Sequence, residues 1–411
     1  MFDAFTHYLS YGAADQQTAR QLKGFYDGLL VPGTVASFQA EGTKGFVLTL
    51  SASARPAQYV VDPRFPLFQQ QLLAPKKSHE ALAEKLNAPE LVNRDREPTP
   101  GDFSDELIDR VSKAWLEFNG GYTTVSSKHF EKYAERLGET VLPIDSRAPT
   151  YVLPPYTVVR TSDLVWRDVS DRLWESSERQ SVGTSLQGWL VQVLAADGPS
   201  VLDRLLIEGG QERAVIWCSD LNELDLGPLS SRDLYAYGMT IRNAGRRGQS
   251  MFALYGGFFS VLLGSIGLSG SSHGIGYGES RSWVELPSSG PPPARYYLPR
   301  AHRYVSEDLA LVLWREAREL AACACLECDG GSPAHLDYHG LMRHSVRCRH
   351  AEIEQWSGRD LGDSAEVLKI DADVFRTELS RIDVPRPLRR QAEQCFAHLD
   401  GWSNVLTMLT R

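Results

Sequence analysis

Long apolar runs are missing from this chain. No stretch of eighteen apolar residues, roughly the least that a membrane-spanning helix needs, occurs among its 411 residues. The opening segment Met1-Phe2-Asp3-Ala4 has no basic region followed by an apolar one, so no secretory signal is predicted. We therefore expect a globular protein without membrane association, located in the cytoplasm.

Positive charge is in deficit. Lys and Arg number 43 against 52 Asp and Glu, which gives a net charge of −9. This balance argues against bulk electrostatic attraction to nucleic acid, although it leaves room for a local basic face. Arg386, Arg389 and Arg390 are one such group, and a solvated helix end is the alternative interpretation of them.

Cysteine is scarce, yet it is clustered. Of six cysteines, three fall within Cys323-Ala324-Cys325-Leu326-Glu327-Cys328, and the lone Cys218 lies in an apolar run. Three soft thiolates with one imidazole are the ligands that tetrahedral zinc prefers, and four histidines follow within a predicted helix. We predict a closed, structural Cys3His zinc site; a disulfide or a cluster of small buried side chains is the alternative.

The choice of the fourth ligand depends on which histidine can fold back to the three thiols. His335 and His339 follow Cys328 too closely to fold back easily, whereas His344 and His350 can return through the turn at 329–331. We favour His344 as the fourth ligand and keep His350 as the alternative.

Strand and helix patterns alternate over much of the chain. Apolar runs at 156–160, 213–218 and 250–255 each end in polar or glycine residues and are followed by helical patterns. This alternation predicts an α/β fold, a (β/α)8 TIM-like barrel over residues 1–300, with a leading helix in 1–30 and an inserted helical region near 76–139. Residues 31–38 and 46–50 are predicted strands. Residues 301–411 are predicted to form the zinc-binding subdomain and further helical additions.

Chemistry in such barrels gathers at the carboxyl ends of the strands. Asp220 and Asp62 are the candidate catalytic carboxylates, and we rank Asp220 first because it closes the most apolar strand, where a low-dielectric wall would tune its pKa. Loop capping is the alternative role of each aspartate. Further candidate substrate-binding residues at these ends, including two in a glycine-rich loop at 269–279, are Asp163, Gly256, Gly257, His273 and Glu279. That loop is either a phosphate cradle or an ordinary lid.

A barrel-like series followed by Cys323-x-Cys325-x-x-Cys328 and Arg343-His344-Ser345-Val346-Arg347 resembles the tRNA-guanine transglycosylase superfamily, which includes the 7-deazaguanine DNA transglycosylases. The resemblance covers roughly residues 250–355 and rests mainly on the zinc motif. It implies a TIM barrel, a structural zinc ion with His344 as fourth ligand, and a queuine tRNA-ribosyltransferase-like exchange of guanine for a deazaguanine in DNA or tRNA. One Asp is then the nucleophile on the sugar carbon and another the acid/base.

The chain departs from this family at one place. The family's nucleophilic Asp precedes the first cysteine by a distance that falls here on Ser280-Arg281-Ser282-Trp283, which contains no aspartate. Two functions therefore stay open. The first is a transglycosylase acting on a guanine or deazaguanine N-glycoside in nucleic acid. The second is a non-catalytic zinc-containing barrel that binds nucleic acid or protein in a modification or defence system, as a homodimer or with a partner subunit.

Overall fold

Strands and helices alternate in the computed structural model, which describes residues 5–12, 15–92, 94–224, 228–275 and 295–411. The strands are β1 Thr6–Ser10, β2 Gly28–Pro32, β3 Gln58–Asp62, β4 Val158–Val159, β5 Gln192–Ala196, β6 Arg213–Cys218, β7 Ser250–Ala253, β8 Leu268–Gly274, β9 Arg295–Leu298 and β10 Arg303–Ser306. The first eight helices are α1 Gln16–Gln21, α2 Gly33–Phe38, α3 Ala40–Ser51, α4 Lys77–Lys85, α5 Asp105–Gly120, α6 Ser127–Leu137, α7 Trp166–Ser181 and α8 Pro199–Gly209. The others are α9 Pro228–Arg246, α10 Phe258–Leu262, α11 Glu307–Glu316, α12 Arg318–Ala321, α13 Tyr338–Trp356, α14 Leu361–Arg381, α15 Arg386–Gln394 and α16 His398–Leu409. None of these helices is long and apolar enough to cross a membrane.

Eight strands form one sheet in the hydrogen-bonded order β3-β2-β1-β8-β7-β6-β5-β4. The pairs β1–β2, β2–β3, β4–β5, β5–β6 and β7–β8 are parallel. β5 is buried along its whole length, and β6 is buried at every residue after Arg213. Strands of a parallel sheet are covered on both faces, which explains these continuous apolar runs. The predicted α/β class is confirmed.

The sheet is not a closed barrel. The strands follow one another as in a ring of eight that is open between β3 and β4. Strand β4 has two residues, and β5 is its one hydrogen-bonded neighbour in this order. Pro154 and Pro155 precede β4 and supply no N–H donor, so this segment cannot continue a ladder. One backbone bond, from Thr150 N–H to the Tyr59 carbonyl at 2.9 Å, reaches β3 from the residues before β4. The prediction of a closed (β/α)8 barrel is therefore wrong, while its strand sequence is retained.

The first fifty residues differ from the sequence prediction. Instead of a leading helical layer, residues 6–32 form a strand, a short helix and a second strand, β1-α1-β2. The predicted strands at 31–38 and 46–50 lie mostly in helices α2 and α3. Phe46, Val47, Leu48 and Leu50 are buried in α3, so burial against neighbouring elements outweighs the weak strand preference of these side chains. Residues 76–139 contain the helices α4, α5 and α6.

The described residues divide into two compact units. One unit is the continuous stretch Tyr8–Asp220, and the other holds the remaining described residues, up to His7 and from Leu221 onward. In the 8–220 unit, Trp115 of α5 is fully buried and its indole N–H donates to the Leu153 carbonyl at 2.7 Å. In the second unit, Trp402 of α16 is buried in the same way, and its indole N–H donates to the Glu223 carbonyl at 2.7 Å.

Candidate metal centre and strand-end residues

Four cysteines and one histidine meet beside helix α13. The donor atoms of Cys323, Cys325, His344 and Cys348 all lie within 4.8 Å of one another. His344 Nδ1 is 3.4 Å from Cys325 Sγ, 3.2 Å from Cys328 Sγ and 3.5 Å from Cys348 Sγ. The sulfurs of Cys323 and Cys348 are 3.6 Å apart. Cys323, Cys325 and His344 of the predicted ligand set thus lie together with Cys348, and the predicted Cys328 is a further neighbour of His344.

These distances have the size of one tetrahedral metal site. Metal–sulfur bonds of about 2.3 Å and metal–nitrogen bonds of about 2.0 to 2.1 Å give tetrahedron edges of about 3.8 Å between sulfurs and about 3.5 Å between sulfur and nitrogen. The cluster's 3.6 Å S–S and 3.2 to 3.5 Å S–N separations are close to those edges. The four donors of Cys323, Cys325, His344 and Cys348 can therefore hold one metal ion, and the Cys328 thiol beside His344 is one donor more than a tetrahedral ion uses.

The thiol loop is shaped by short-range backbone bonds. The Cys325 N–H points at Cys323 Sγ, 3.4 Å away, and the Cys328 N–H donates to the Cys325 carbonyl at 3.0 Å. Asp329 and Gly330 then turn the chain with φ values of 46° and 69°, in the left-handed region that glycine tolerates best. The Gly330 N–H closes the turn on the Cys323 carbonyl at 3.1 Å. The spacing Cys-x-Cys-x-x-Cys thus folds three thiols toward one point.

His344 is fixed in the tautomer that a metal needs. Its Nε2 lies 2.6 Å from the Tyr297 carbonyl, which can only accept, so Nε2 carries the proton and Nδ1 keeps its lone pair toward the thiols. The Tyr296 ring stacks on the imidazole, with centroids 4.3 Å apart. Cys348 lies four residues after His344 in α13 and so projects from the same face of the helix.

Cys348 was missed by the sequence reasoning, which considered only histidines in this helix. The signal was present, because a His and a Cys four residues apart on a helix face are a ligand pair as good as two histidines. His350, the alternative fourth ligand, instead pairs with Glu354 at 3.5 Å. His344, the preferred fourth ligand, lies in the cluster, whereas His350 does not. Cys348 and the predicted Cys328 are alternative candidates for the third thiol.

A buried polar network adjoins the metal cluster on the same helix. The Tyr297 hydroxyl donates to Glu352, with Oε1 and Oε2 at 2.9 and 2.8 Å, and His302 Nδ1 is 2.6 Å from Oε1. Arg349 Nε lies 3.1 Å from Glu352 Oε2. The Phe258 ring stacks on His302 at 3.7 Å. Tyr297 therefore contacts His344 through its carbonyl and Glu352 through its hydroxyl.

Asp62 is the last residue of β3, as the sequence predicts, and its side chain is fully buried. Its Oδ1 accepts from the Tyr156 hydroxyl at 2.9 Å and from the Arg64 N–H at 3.0 Å. The Tyr156 ring meets Trp217 of β6 edge-on at 6.2 Å, and the Arg64 guanidinium lies 5.8 Å from the Trp217 ring centroid. In the 8–220 unit, the Asp62 carboxylate thus bonds to a phenol whose ring, like the Arg64 guanidinium, lies beside the indole of Trp217.

Asp220 has a different environment from the one predicted. The Asp220 side chain is exposed to solvent and accepts a hydrogen bond from the Ser219 hydroxyl at 3.0 Å. It therefore does not lie against the apolar, low-dielectric wall that the sequence predicts beside it. Strand β6 ends two residues earlier, at Cys218, which carries Asp220 out of the buried layer. Asp163 accepts from the Val165 N–H at 3.3 Å. Each of the three aspartates therefore has a bond to a residue one or two positions away.

Gly256 and Gly257 follow β7 and pack closely in the second unit. A Cβ on Gly256 would lie 2.5 Å from Ser260 Oγ and 3.0 Å from Ser271 Cβ, so a larger residue does not fit. The Gly257 N–H and the Ser260 hydroxyl lie 3.3 and 3.4 Å from Glu223 Oε1. Glu223, a buried carboxylate beyond the end of β6, is a further residue that the sequence reasoning did not single out.

His273 lies in strand β8 and is buried, although a glycine-rich loop was predicted for residues 269–279. Its Nδ1 is 2.8 Å from the Gly274 carbonyl and its Nε2 is 2.5 Å from His7 Nε2. Since the carbonyl only accepts, His273 Nδ1 carries the proton and Nε2 accepts from His7. Burial, with a contribution from the Arg349 charge, lowers the pKa of His273 to about 3. Glu279 lies outside the described residues.

The described residues form an α/β protein with an eight-stranded sheet and a Cys/His cluster whose donor atoms are spaced to hold one metal ion. The chain matches no protein-family model and no curated protein. We therefore infer its function from the chemistry that its own residues can perform.

Proposed function

We propose that this chain is a zinc-containing transglycosylase-type enzyme that acts on a guanine or deazaguanine N-glycoside in nucleic acid. The observation that carries the proposal is the pairing of Asp62 with Tyr156 at the end of a strand in a parallel sheet. Ligands of parallel α/β sheets bind outside the carboxyl ends of the strands. The strand order and the thiol cluster that follows the sheet in the chain agree with the resemblance to the tRNA-guanine transglycosylase superfamily.

Zinc is the metal that the donor set favours. Four thiols and an imidazole are soft and borderline ligands, which suit zinc and disfavour magnesium or calcium. The protein supplies at least four donors, so no coordination position is left for water or substrate. The ion's role is then structural: it ties the thiol loop to helix α13.

The reaction asks for a carboxylate that is charged and correctly oriented. Asp62 would attack the sugar carbon, the carbon–nitrogen bond would break with its electron pair going to the base, and the base would take up a proton from solvent. An incoming base or water would then attack the same carbon, give up a proton to solvent and release the carboxylate. The Tyr156 hydroxyl and the Arg64 N–H both donate to Asp62 Oδ1, and these two bonds fix the direction of the carboxylate.

A second candidate function is a non-catalytic subunit that binds nucleic acid or protein. It is favoured by the short-range hydrogen bonds of Asp62, Asp163 and Asp220, which are those expected of loop-capping residues. The full burial of Asp62 points the same way, because a catalytic carboxylate has to reach its substrate.

The two functions are separated by measuring base release and guanine exchange with guanine-containing DNA and tRNA. We expect activity in the wild type and a loss of about 100-fold or more in Asp62→Asn, since the amide cannot act as nucleophile. Asp197→Asn is the matched control, because it makes the same change at a half-buried aspartate directly after strand β5, and it should keep activity within a few-fold.

Circular dichroism and metal content establish that each variant is folded before its rate is compared. No release or exchange by the wild type with any of these substrates would leave the non-catalytic function. Unchanged activity in Asp62→Asn would place the nucleophile at another residue, and Asp220→Asn would then be the next variant to measure.

A further inference from the structure

A cavity of about 360 Å³ opens between strand β10 and helix α15 in the second unit. This volume is in the range of small-molecule sites, about 300 to 1,000 Å³. Its lining residues are Arg303, Tyr304, Val305, Pro387, Arg390, Gln391, Gln394 and Cys395. The lining thus contains two guanidinium groups and no carboxylate, in a chain whose net charge is −9.

The cationic groups of this cavity are of two kinds. Arg303 is held in place, since its Nη1 donates to the Gln394 carbonyl at 2.8 Å. Arg390 is exposed, and no carboxylate among the described residues pairs with it. One guanidinium is therefore positioned by the backbone, while the other is available to close on a ligand.

The remaining polar groups add donors rather than negative charge. The Gln391 Oε1 accepts from the Ser306 hydroxyl at 2.5 Å, which turns the amide so that its N–H groups are the ones left for a ligand. Cys395 is buried, and burial raises the pKa of its thiol to about 12, so it stays neutral. Every charge that lines the cavity is positive.

We propose that this cavity is an anion site that binds the phosphate group of a nucleotide-sized ligand or of a nucleic-acid strand. Guanidinium groups bind phosphate oxygens through pairs of charge-assisted hydrogen bonds, and two of them with amide donors form a suitable set. The volume exceeds what a bare phosphate fills and leaves room for a further part of a larger ligand. The proposal does not rest on glycosidic chemistry at Asp62 and holds for either candidate function.

The test is calorimetric titration of the full chain with adenosine monophosphate, with adenosine as the phosphate-free ligand, and with a short single-stranded DNA. We expect binding of the phosphate-bearing ligands at low ionic strength, weakening as salt is raised. Arg390→Gln should lower the affinity by about 10-fold, because it removes one charge-assisted contact. Arg386→Gln is the matched control: it makes the same change on the same helix at an exposed residue that does not line the cavity.

The ligands distinguish the source of the phosphate. Binding of adenosine monophosphate but not adenosine indicates a free nucleotide site, and binding of the DNA alone indicates a site for the strand backbone. Equal weakening by Arg386→Gln and Arg390→Gln would show diffuse attraction and overturn the site. So would the absence of binding by every phosphate-bearing ligand at low ionic strength. Base-exchange rates measured on the same two variants separate a failure here from a failure at Asp62.

Discussion

The metal cluster contains one donor more than a tetrahedral ion uses. Cys323, Cys325, His344 and Cys348 lie within 4.8 Å of one another, and the set predicted from the sequence has Cys328 in place of Cys348. Both of these sulfurs lie within 3.5 Å of His344 Nδ1, at 3.2 and 3.5 Å. Either thiol is therefore placed to replace the other.

This redundancy predicts strongly non-additive variants. Cys328→Ser and Cys348→Ser should each keep about one zinc ion per chain, since four donors remain, whereas the double variant should lose the metal. His344→Ala and Cys325→Ser remove a donor common to both sets and should lower metal content and the melting temperature on their own. Metal analysis and thermal unfolding measure both effects.

Cys395→Ser is the matched control, because Cys395 is also buried but lies outside the cluster, and its metal content should not change. Complete loss of metal in Cys348→Ser alone would show that Cys328 is not a ligand. The same loss in Cys328→Ser would assign the fourth position to Cys328.

Some residues of the site can be predicted from the sequence, and others cannot. The three clustered thiols and His344 were predictable, because short spacing and ligand chemistry are both local. Cys348 was recoverable from its distance to His344 in the chain. The contacts Asp62–Tyr156 and His7–His273 join residues 94 and 266 positions apart, and no local pattern indicates them.

Helix α13 carries two different stabilising sets on neighbouring turns. His344 and Cys348 belong to the metal cluster, and Arg349 and Glu352 belong to the buried polar network. Tyr297 of β9 contacts both sets, through its carbonyl and its hydroxyl respectively. The two contacts can be separated by substitution, because only the hydroxyl depends on the side chain.

Tyr297→Phe should therefore lower stability without releasing the metal. The change removes the hydroxyl that donates to Glu352 and leaves that buried carboxylate with one donor fewer, at a cost of about 1 to 3 kcal/mol. The Tyr297 carbonyl still accepts from His344. Urea unfolding and metal analysis on the same preparation give the two readouts. A parallel loss of zinc would mean that the hydroxyl network also holds the metal site.

At the scale of elements, the sequence predicted strands best where they are buried on both faces. The run 213–218 was identified as a buried strand and is β6, whereas 46–50 was identified as a strand and lies in α3. Both runs are short and apolar, and only the tertiary neighbours distinguish them. The sheet opens beside β4, where Pro154 and Pro155 lack the N–H groups that a strand ladder needs, and these two prolines are a signal that the sequence does contain.

Global stability should depend on pH through the buried histidine pair. The pKa of His273 is about 3 in the folded chain, lowered from 6.5 chiefly by burial. As pH falls below about 6.5 the unfolded chain gains a proton that the folded chain does not, so stability is lost from there down to about pH 3. At pH 5 the loss from this residue is about 2 kcal/mol, at about 1.4 kcal/mol per pH unit.

Urea unfolding of the wild type and of His273→Gln at pH 7 and pH 5 tests this dependence. The variant should lose less stability between the two pH values by about 2 kcal/mol, since glutamine does not titrate. Protonation of the metal ligands affects both proteins alike and cancels in the comparison. Equal losses in the two proteins would show that the His7–His273 pair does not set the acid sensitivity.

The division of the chain at residue 220 also sets an order of events during synthesis. The 8–220 unit is complete in sequence when Asp220 has been made, whereas the second unit needs α16, whose Trp402 bonds to the Glu223 carbonyl. At about 5 to 20 residues per second, roughly 10 to 40 s separate the two moments on the ribosome. The nascent chain therefore has time to fold its first unit before the thiol loop at 323–330 leaves the ribosome.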